Sequence, residues 1–156
     1  MSRVARSARV ASRQRTETVS GTKVITQGES GELYLVTGAS TITLPEPEEG
    51  SYFKFFIGGD IISASALIIQ SHAAGSADFL GNIAIRIAGG TGAATDDAAA
   101  ARALSGDGHD KLTIGDSAKK VHVGSYVECF SNGTNWGFSG FILAEHANVT
   151  AEFGDQ

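Results

Sequence analysis

The side chains that could bind a metal ion are spread along the chain without the spacing that a metal site needs. The single cysteine is Cys129, and no two histidines form a His-x-His or His-x-x-x-His pair. Zinc sites are built from such pairs, so the sequence predicts no metal site and no other cofactor. Asp107, His109 and Asp110 lie in a segment with the composition of a calcium loop, but it has neither the EF-hand pattern nor a repeated nonapeptide, so we expect a turn. The histidines are His72, His109, His122 and His146.

Catalytic nucleophiles and phosphate-binding loops are also hard to find in this sequence. No serine lies in a Gly-x-Ser-x-Gly motif. Cys129 alternates with Val127, which predicts a small core residue rather than a reactive thiol. Gly89–Gly92 is glycine-rich but lacks the Gly-Lys-Ser/Thr ending of a phosphate loop. The sequence therefore favours a protein that is not an enzyme.

Three glutamates crowd into one proline-containing loop. Glu46, Glu48 and Glu49 stand beside Pro45 and Pro47. Paired carboxylates can support glycosidase chemistry. In a loop of this kind they are more typical of a solvated surface, and we expect them to be surface contacts for an arginine-rich partner.

The aromatic residues of the last long strand-like segment allow two interpretations. Trp136 and Phe138 share one face, and Phe141 falls on the other unless Gly140 marks a bulge. A core position is favoured for these side chains, and a ligand platform is the alternative.

Charge is distributed unevenly along the chain. The first fifteen residues hold five arginines and no acid, whereas the remaining 141 hold seven basic and seventeen acidic residues, a formal charge of −10. The acidic body disfavours nucleic acid as a partner. The arm alone could still neutralise about five phosphates of a packaged genome, with a steep salt dependence. The arginines, which are the candidate binding residues of the arm, are Arg3, Arg6, Arg9, Arg13 and Arg15.

The domain organisation follows from where large apolar side chains occur. Residues 1–20 contain too few to offset the entropy of ordering the chain. We expect an extended basic arm over 1–20, a β domain over 21–145 and a flexible tail over 146–156. No apolar run approaches the roughly 20 residues of a membrane helix, so no membrane partner is expected.

After Gly21 the apolar residues alternate with period two, which is typical of half-buried strands. Stretches rich in turn-forming residues separate the strands. Many short strands with little helix predict an all-β fold, an antiparallel β-sandwich or barrel that is jelly-roll-like. The predicted strands are Thr22–Gln27, Glu32–Val36, Thr41–Leu44, Tyr52–Ile57, Ala66–Gln70, Phe79–Ile87, Lys111–Ile114, Lys120–Val123, Tyr126–Ser131 and Asn135–Leu143.

Two connections have a more specific prediction. Asn132-Gly133 between two strand-like segments predicts a β-hairpin, because tight hairpin turns need positive φ. The alanine-rich segment Thr95–Leu104 predicts either a short helix with Thr95 as its N-cap or a loop.

The sequence also contains one internal echo. Gly50-Ser51-Tyr52 and Gly124-Ser125-Tyr126 each open an aromatic segment with a phenylalanine four residues after the tyrosine. A duplication accounts for this echo, and so does the common chemistry of turn-to-strand junctions.

The body, over residues 31–143, resembles small β-rich structural proteins of tailed bacteriophages, in particular capsid decoration (cement) proteins and head-fibre domains. The resemblance implies a homotrimer on the capsid surface of the virion, bound to the major capsid protein through an arm, without catalytic residues. The motifs that carry it are Thr41-Ile42-Thr43-Leu44-Pro45, Gly50-Ser51-Tyr52, Leu112-Thr113-Ile114-Gly115, Gly124-Ser125-Tyr126 and Ser131-Asn132-Gly133-Thr134-Asn135-Trp136.

The functional hypothesis is thus a virion structural protein that binds the outer surface of an assembled capsid and stabilises it. Arginine suits such an arm because its planar guanidinium makes bidentate contacts with carboxylates. The alternative is a receptor- or carbohydrate-binding module of a phage fibre or spike. That alternative requires an exposed aromatic cluster, for which Tyr52, Tyr126 and Trp136 are the candidates.

Overall fold

The computed structural model describes residues 14–59, 61, 66–76, 78–87, 98–104, 106–115, 121–144 and 151–156. Within these ranges the backbone forms strands and one short 3-10 turn, Gln27–Glu29, and no helix is long and apolar enough to cross a membrane. The strands are β1 (Thr16–Val24), β2 (Leu33–Thr43), β3 (Tyr52–Ile57), β4 (Leu67–Gln70), β5 (Phe79–Ile87), β6 (Ala98–Ala103), β7 (Lys111–Ile114), β8 (Tyr126–Ser131), β9 (Trp136–Ala144) and β10 (Ala151–Gly154).

Strand β2 is the branch point of the sheet. Its first half pairs in parallel with β3 and its second half pairs in parallel with β4. Strand β1 runs parallel to both halves along the other edge. Between the halves, Val19 pairs with Val36 but Gly21 pairs with Ser40, so β2 carries two extra residues there. Such a bulge bends the strand, which lets its two halves pair with different strands.

The strands form one mixed sheet in the order β10-β7-β4-β2-β3-β8-β9-β5-β6. Strand β10 at one end lies against β6 at the other, so the sheet curls into a nearly closed barrel. This confirms the predicted all-β barrel or sandwich. The purely antiparallel pairing is corrected, because β1–β2, β2–β3, β2–β4 and β5–β9 are parallel. Period-two alternation looks the same in either strand direction, so the sequence pattern could not decide it.

The inside of the barrel is filled mainly by aromatic and branched side chains. Tyr34 stacks on Phe55 with ring centroids 5.5 Å apart, and Phe53 contacts Trp136 at 5.6 Å. All four rings are fully buried. Cys129 is also buried, as predicted, and its burial raises the pKa of the thiol. A thiol held in its neutral form behaves as a small apolar core residue.

Several elements differ from the sequence predictions. Strand β1 begins at Thr16, inside the segment predicted as arm, and β10 lies inside the segment predicted as tail. The alanine-rich residues 98–103 form strand β6 rather than a helix, paired with β5. Each of these segments is weak in local signal and is held by pairing with another strand, so tertiary context overrides propensity.

The predicted hairpin is confirmed between β8 and β9. Ser131 pairs with Trp136, which leaves a four-residue loop. Gly133 has a φ of +89°, which glycine adopts readily, and Asn132 Oδ1 accepts the amides of Thr134 and Asn135 at 3.0 and 2.8 Å. The side chain thus takes over the hydrogen bonds of the turn.

The internal echo becomes a local two-fold arrangement, because its two copies are neighbouring antiparallel strands, β3 and β8. The amide of each echo glycine donates to the carbonyl seven residues after the other glycine, at 3.0 Å in both copies: Gly50 to Ser131 and Gly124 to Ile57. Because equivalent backbone hydrogen bonds join the two copies, their aromatic residues are brought together on one surface.

Candidate functional site

The outer surface of β3, β8 and β9 carries five aromatic side chains that are not fully buried. We call this surface the aromatic face. Phe130 is 55% exposed, and the other four are partly exposed. The inner residues of the same strands fill the core, so the three strands carry large apolar side chains on both faces. Strands of this kind are usually covered on both sides. The members of the aromatic face are Tyr52, Phe56, Tyr126, Phe130 and Phe141.

Strand register arranges these side chains in rows across the sheet. Tyr52 pairs with Phe130 in one row, and Phe56, Tyr126 and Phe141 form another. Directly paired side chains in an antiparallel sheet lie about 4.5–5.5 Å apart at their Cβ atoms, which is close enough for contact. The side chains within each row therefore contact one another and are not isolated exposed rings.

A polar row separates the two aromatic rows. Lys54 pairs with Glu128, and Glu128 pairs with Ser139. The Glu128 carboxylate accepts a hydrogen bond from Tyr52 Oη at 2.8 Å and from Ser139 Oγ at 3.2 Å, and Lys54 Nζ lies 3.7 Å from it. Lys54 Nζ also lies 4.7 Å from the centre of the Tyr126 ring. The centre of the face is thus a neutralised polar network framed by rings.

This network shifts the protonation of its members. The hydrogen bond from Tyr52 lowers the pKa of Glu128, and partial burial opposes that shift. Partial burial, followed by the hydrogen bond to Glu128, raises the pKa of Tyr52 to about 12. At neutral pH the carboxylate is therefore charged and the phenol is protonated, so the carboxylate accepts the hydrogen bonds that the Tyr52 and Ser139 hydroxyls donate.

A glycine opposite Phe130 gives its ring a place on the sheet. A Cβ atom built on Gly137 would lie 2.5 Å from the ring of Phe130. The ring therefore rests on the backbone of β9 at this point. Its other side is open to solvent, which leaves it free to contact a partner.

A second feature lies where β1 begins. Glu17, Glu29 and Glu32 place carboxylate oxygens within 4.8 Å of one another, and we call them the carboxylate cluster. Lys23 Nζ bridges two of them, at 3.0 Å from Glu17 and 2.6 Å from Glu29. Burial alone would raise the pKa of Glu29, but hydrogen bonds from Lys23 and Thr26 outweigh it and lower that pKa to about 2. The hydrogen bond from Lys23 to Glu29, and then the one to Glu17, raise the pKa of Lys23, and burial opposes that shift.

Of the predicted arm over 1–20, the structure describes residues 14–20, and this segment contacts the carboxylate cluster. Arg15 Nη1 lies 3.1 Å from Glu32 Oε1; the arginine side chain is 78% exposed and that of the glutamate only 6%. The carbonyl of Arg15 also accepts the amide of Leu33 at 2.8 Å. Arg15 thus fixes where the chain joins the barrel. The other four candidate arginines of the arm lie outside the described residues: Arg3, Arg6, Arg9 and Arg13.

The predicted surface glutamates lie in the loop between β2 and β3. Glu46, Glu48 and Glu49 are exposed. The Glu46 carbonyl accepts a hydrogen bond from the Gln27 side chain, which ties this loop to the 3-10 turn of the carboxylate cluster. The three side chains are thus accessible, and their role as surface contacts stays a prediction.

The structure divides the aromatic candidates. Trp136 is fully buried against Phe53, so the suggestion that it belongs to an exposed cluster is wrong. Tyr52 and Tyr126 lie on the aromatic face. Phe141 is on the face opposite Trp136, and the β8–β9 register is continuous past Gly140, so no bulge intervenes.

The calcium-like segment forms turn contacts. Asp107 Oδ2 accepts the amide of Leu104 at 2.8 Å. The buried Asp110 accepts the amides of Gly75 and Gln156 at 2.5 and 2.7 Å. Both of its carboxylate oxygens are therefore hydrogen-bonded to backbone amides. The predicted glycine-rich stretch 89–92 and His146 lie outside the described residues.

Sequence reasoning missed two groups. Phe56 and Phe130 were not proposed for binding, although the internal echo places each four residues after a partly exposed tyrosine. The carboxylate cluster had no local signal, since Glu17 lay in the presumed arm and its partners lie in a turn and at the start of β2.

Comparison with family models, curated proteins and solved structures found no match to this chain.

Proposed function

We propose that this protein is a virion structural protein that binds the outer surface of an assembled capsid, as a decoration or cement protein, and has no enzymatic role. The aromatic face is the observation that supports binding most directly. Aromatic side chains contribute most to protein interfaces when they sit at a rigid, well-packed site. Here they stand on paired strands of a barrel, so little conformational entropy is lost when a partner covers them.

The basic arm supplies the second contact. Its arginines pair with acidic groups of the major capsid protein, while the arm stays joined to the barrel through β1 and Arg15. Each exposed ion pair contributes only about 0–1 kcal/mol. Attachment therefore depends on several pairs acting together with the apolar contact, and on avidity across the subunits of the proposed homotrimer.

A second candidate is a receptor- or carbohydrate-binding module of a phage fibre or spike. It is favoured by the polar row of the aromatic face. Tyr52, Glu128 and Ser139 offer hydroxyl and carboxylate groups between rings, and sugars bind through such polar groups together with apolar ring faces.

The test uses virus-like particles assembled from the cognate major capsid protein. A variant that lacks residues 2–13 keeps β1 and Arg15, so we expect a folded barrel with an unchanged melting temperature. Its occupancy on the particles should fall at least tenfold. A control for loss of positive charge carries Arg86→Ser and Arg102→Ser, both exposed in the barrel, and should bind like the wild type although it lacks two of the four charges that the truncation removes.

Other outcomes separate the alternatives. Wild-type occupancy by the truncated chain contradicts the role of the arm. Binding of the truncated barrel to a glycan array, abolished by Tyr126→Ser, supports the second candidate. Binding to free DNA with a log-log salt slope of about −4 to −5 would assign the arm to nucleic acid instead.

A further inference from the structure

The rows of the aromatic face have a local two-fold symmetry. Strands β3 and β8 pair antiparallel about the Lys54–Glu128 pair, and each copy of the internal echo places its tyrosine on one side of that pair and its phenylalanine on the other. A half-turn about an axis through this pair, perpendicular to the sheet, therefore exchanges the two tyrosines, the two phenylalanines, and the lysine with the glutamate. The two halves of the surface thus have the same ring pattern and opposite charges.

The neighbouring strands extend this surface by one strand on each side. The sheet order is β2-β3-β8-β9, so the line midway between β3 and β8 is the centre of four strands. On β2, the partly exposed Leu33 and Leu35 are in register with Lys54 and Phe56. On β9, Phe141 lies in the same row as Phe56. Apolar side chains therefore flank the central charged pair on the outer strands as well.

Two copies of this surface are complementary when they pack face to face. Packed sheets commonly keep their strands nearly aligned, with the sheets about 10 Å apart. A two-fold axis between the copies, parallel to the strands and midway between β3 and β8, places each β3 residue over its register partner on β8 of the second copy. Lys54 then faces Glu128 of the second copy, rings face rings in the two aromatic rows, and Leu35 faces Phe141 of the second copy.

Charge favours this axis over the other aligned arrangements. An axis across the strands along the polar row would place Lys54 over Lys54 of the second copy, and an axis along β8 would place Glu128 over Glu128 of the second copy. Like charges that face each other across an interface are unfavourable. With the axis midway between β3 and β8, each of the four charges has one opposite charge in its own chain and another in the second copy.

We propose that the aromatic face of the free chain binds a second copy of itself, as a two-fold dimer in which Lys54 lies over Glu128 of the second copy. The inference concerns the chain in solution and does not rest on the proposed capsid role. Where that role holds, the second copy and the capsid compete for the same rings, so the dimer covers them until the chain meets a capsid. The homotrimer is proposed for the chain on the capsid and is a different assembly.

The size of the contact makes the dimer weak. Four strands of about six residues cover roughly 20 Å by 20 Å, or about 400 Å² on each copy. A stable interface buries about 800 Å² on each partner, and the outer surface of a barrel curves away from a flat contact. We therefore expect a reversible dimer with a dissociation constant of roughly 10–100 µM. A contact of this strength can give way to a capsid that also holds the arm.

Sedimentation equilibrium of the full chain, without particles, tests the dimer through its charges. Lys54→Glu and Glu128→Lys should each weaken association at least tenfold, because like charges then face each other across the axis. An equimolar mixture of the two variants should associate at least as tightly as the wild type, since each copy then carries the charges that the other lacks. Both variants should still melt cooperatively, because the exchanged pair is about one-third exposed.

The mixture separates a contact between copies from an effect within one chain, because the broken Lys54–Glu128 pair of each variant is not repaired by mixing. Arg102→Glu reverses an exposed charge on β6, away from the face, and should associate like the wild type. The proposal is overturned if the wild type stays monomeric well above the expected constant, if the single variants associate like the wild type, or if mixing restores nothing. Each of these results leaves particle occupancy, and with it the proposed function, to be decided separately.

Discussion

The inner and outer surfaces of β3, β8 and β9 carry similar side chains but differ in what covers them. Phe53 and Trp136 on the inside are fully buried and contact each other. Phe130 and Tyr126 lie on the outside, at positions that alternate along β8 with the inward-facing ones. Both keep part of their rings in solvent. A fully buried large apolar side chain contributes about 1.5–3 kcal/mol to folding, and a partly exposed one contributes less.

This difference indicates that the two surfaces have different roles. The inner residues account for the stability of the barrel, and the aromatic face adds little to it. Exposed rings in adjacent rows also carry a risk of aggregation. Their presence on a rigid sheet is therefore better explained by a partner than by folding, which is the basis of the proposed attachment role.

The largest effect is expected inside. Phe53→Ala removes a ring that contacts both Tyr34 and Trp136, and it should lower the free energy of unfolding by about 3–5 kcal/mol. Urea denaturation measures this change. A loss below about 1 kcal/mol would mean that the inner surface does not dominate stability.

The next effect tests the close contact between β5 and β9 that supports the aromatic face. A Cβ on Gly81 would lie 2.0 Å from the carbonyl oxygen of Phe138, at a φ of +124°. Gly81→Ala should therefore cost more than about 2 kcal/mol, because backbone cannot move aside. The control is Gly106→Ala, at a φ of +90° with open space, which should cost about 1 kcal/mol. Equal losses would contradict this packing.

The carboxylate cluster predicts a pH dependence. The pKa of Glu29 is about 2 in the folded chain and near 4.5 when unfolded, so its contribution is complete above pH 4.5 and is lost as the pH falls towards 2. The free energy of unfolding should fall by about 1–3 kcal/mol, because the Glu29 side chain is largely shielded from solvent. Thermal melts between pH 6 and roughly pH 2 measure it. Glu29→Gln should flatten this part of the profile, and an unchanged slope would contradict the assignment.

The smallest effect on stability is expected on the aromatic face. Phe130→Ala should change the free energy of unfolding by less than about 1 kcal/mol, since more than half of the side chain is exposed. Urea denaturation beside Phe53→Ala gives the direct comparison. A loss as large as that of Phe53→Ala would show that the outer rings serve the fold.

The sequence predicted the elements that have strong local patterns. Tyr52–Ile57 and Tyr126–Ser131 are rich in aromatic and other apolar residues and match β3 and β8, and Asn132-Gly133 marked the hairpin. Strand direction was not predictable, because alternation is the same for parallel and antiparallel neighbours. Strand β6 has alanines that favour a helix, and only its pairing with β5 determines its conformation.

The candidate sites were predictable to different degrees. Alternation alone places Tyr52 with Phe56, and Tyr126 with Phe130, on one side of each strand. That β3 and β8 are neighbours, which unites the two pairs, depends on long-range pairing. The carboxylate cluster could not be predicted, because Glu17 meets Glu29 and Glu32 only through the parallel β1–β2 register.

The central claim is that the aromatic face binds the partner without serving the fold. Particle occupancy of a Tyr126→Ser, Phe130→Ser double variant tests it most directly, with Leu104→Ser, a 50% exposed apolar residue elsewhere on the barrel, as the matched control. We predict a melting temperature close to wild type and a loss of occupancy of at least tenfold for the double variant, with wild-type occupancy for the control. Wild-type occupancy by a folded double variant would contradict the account.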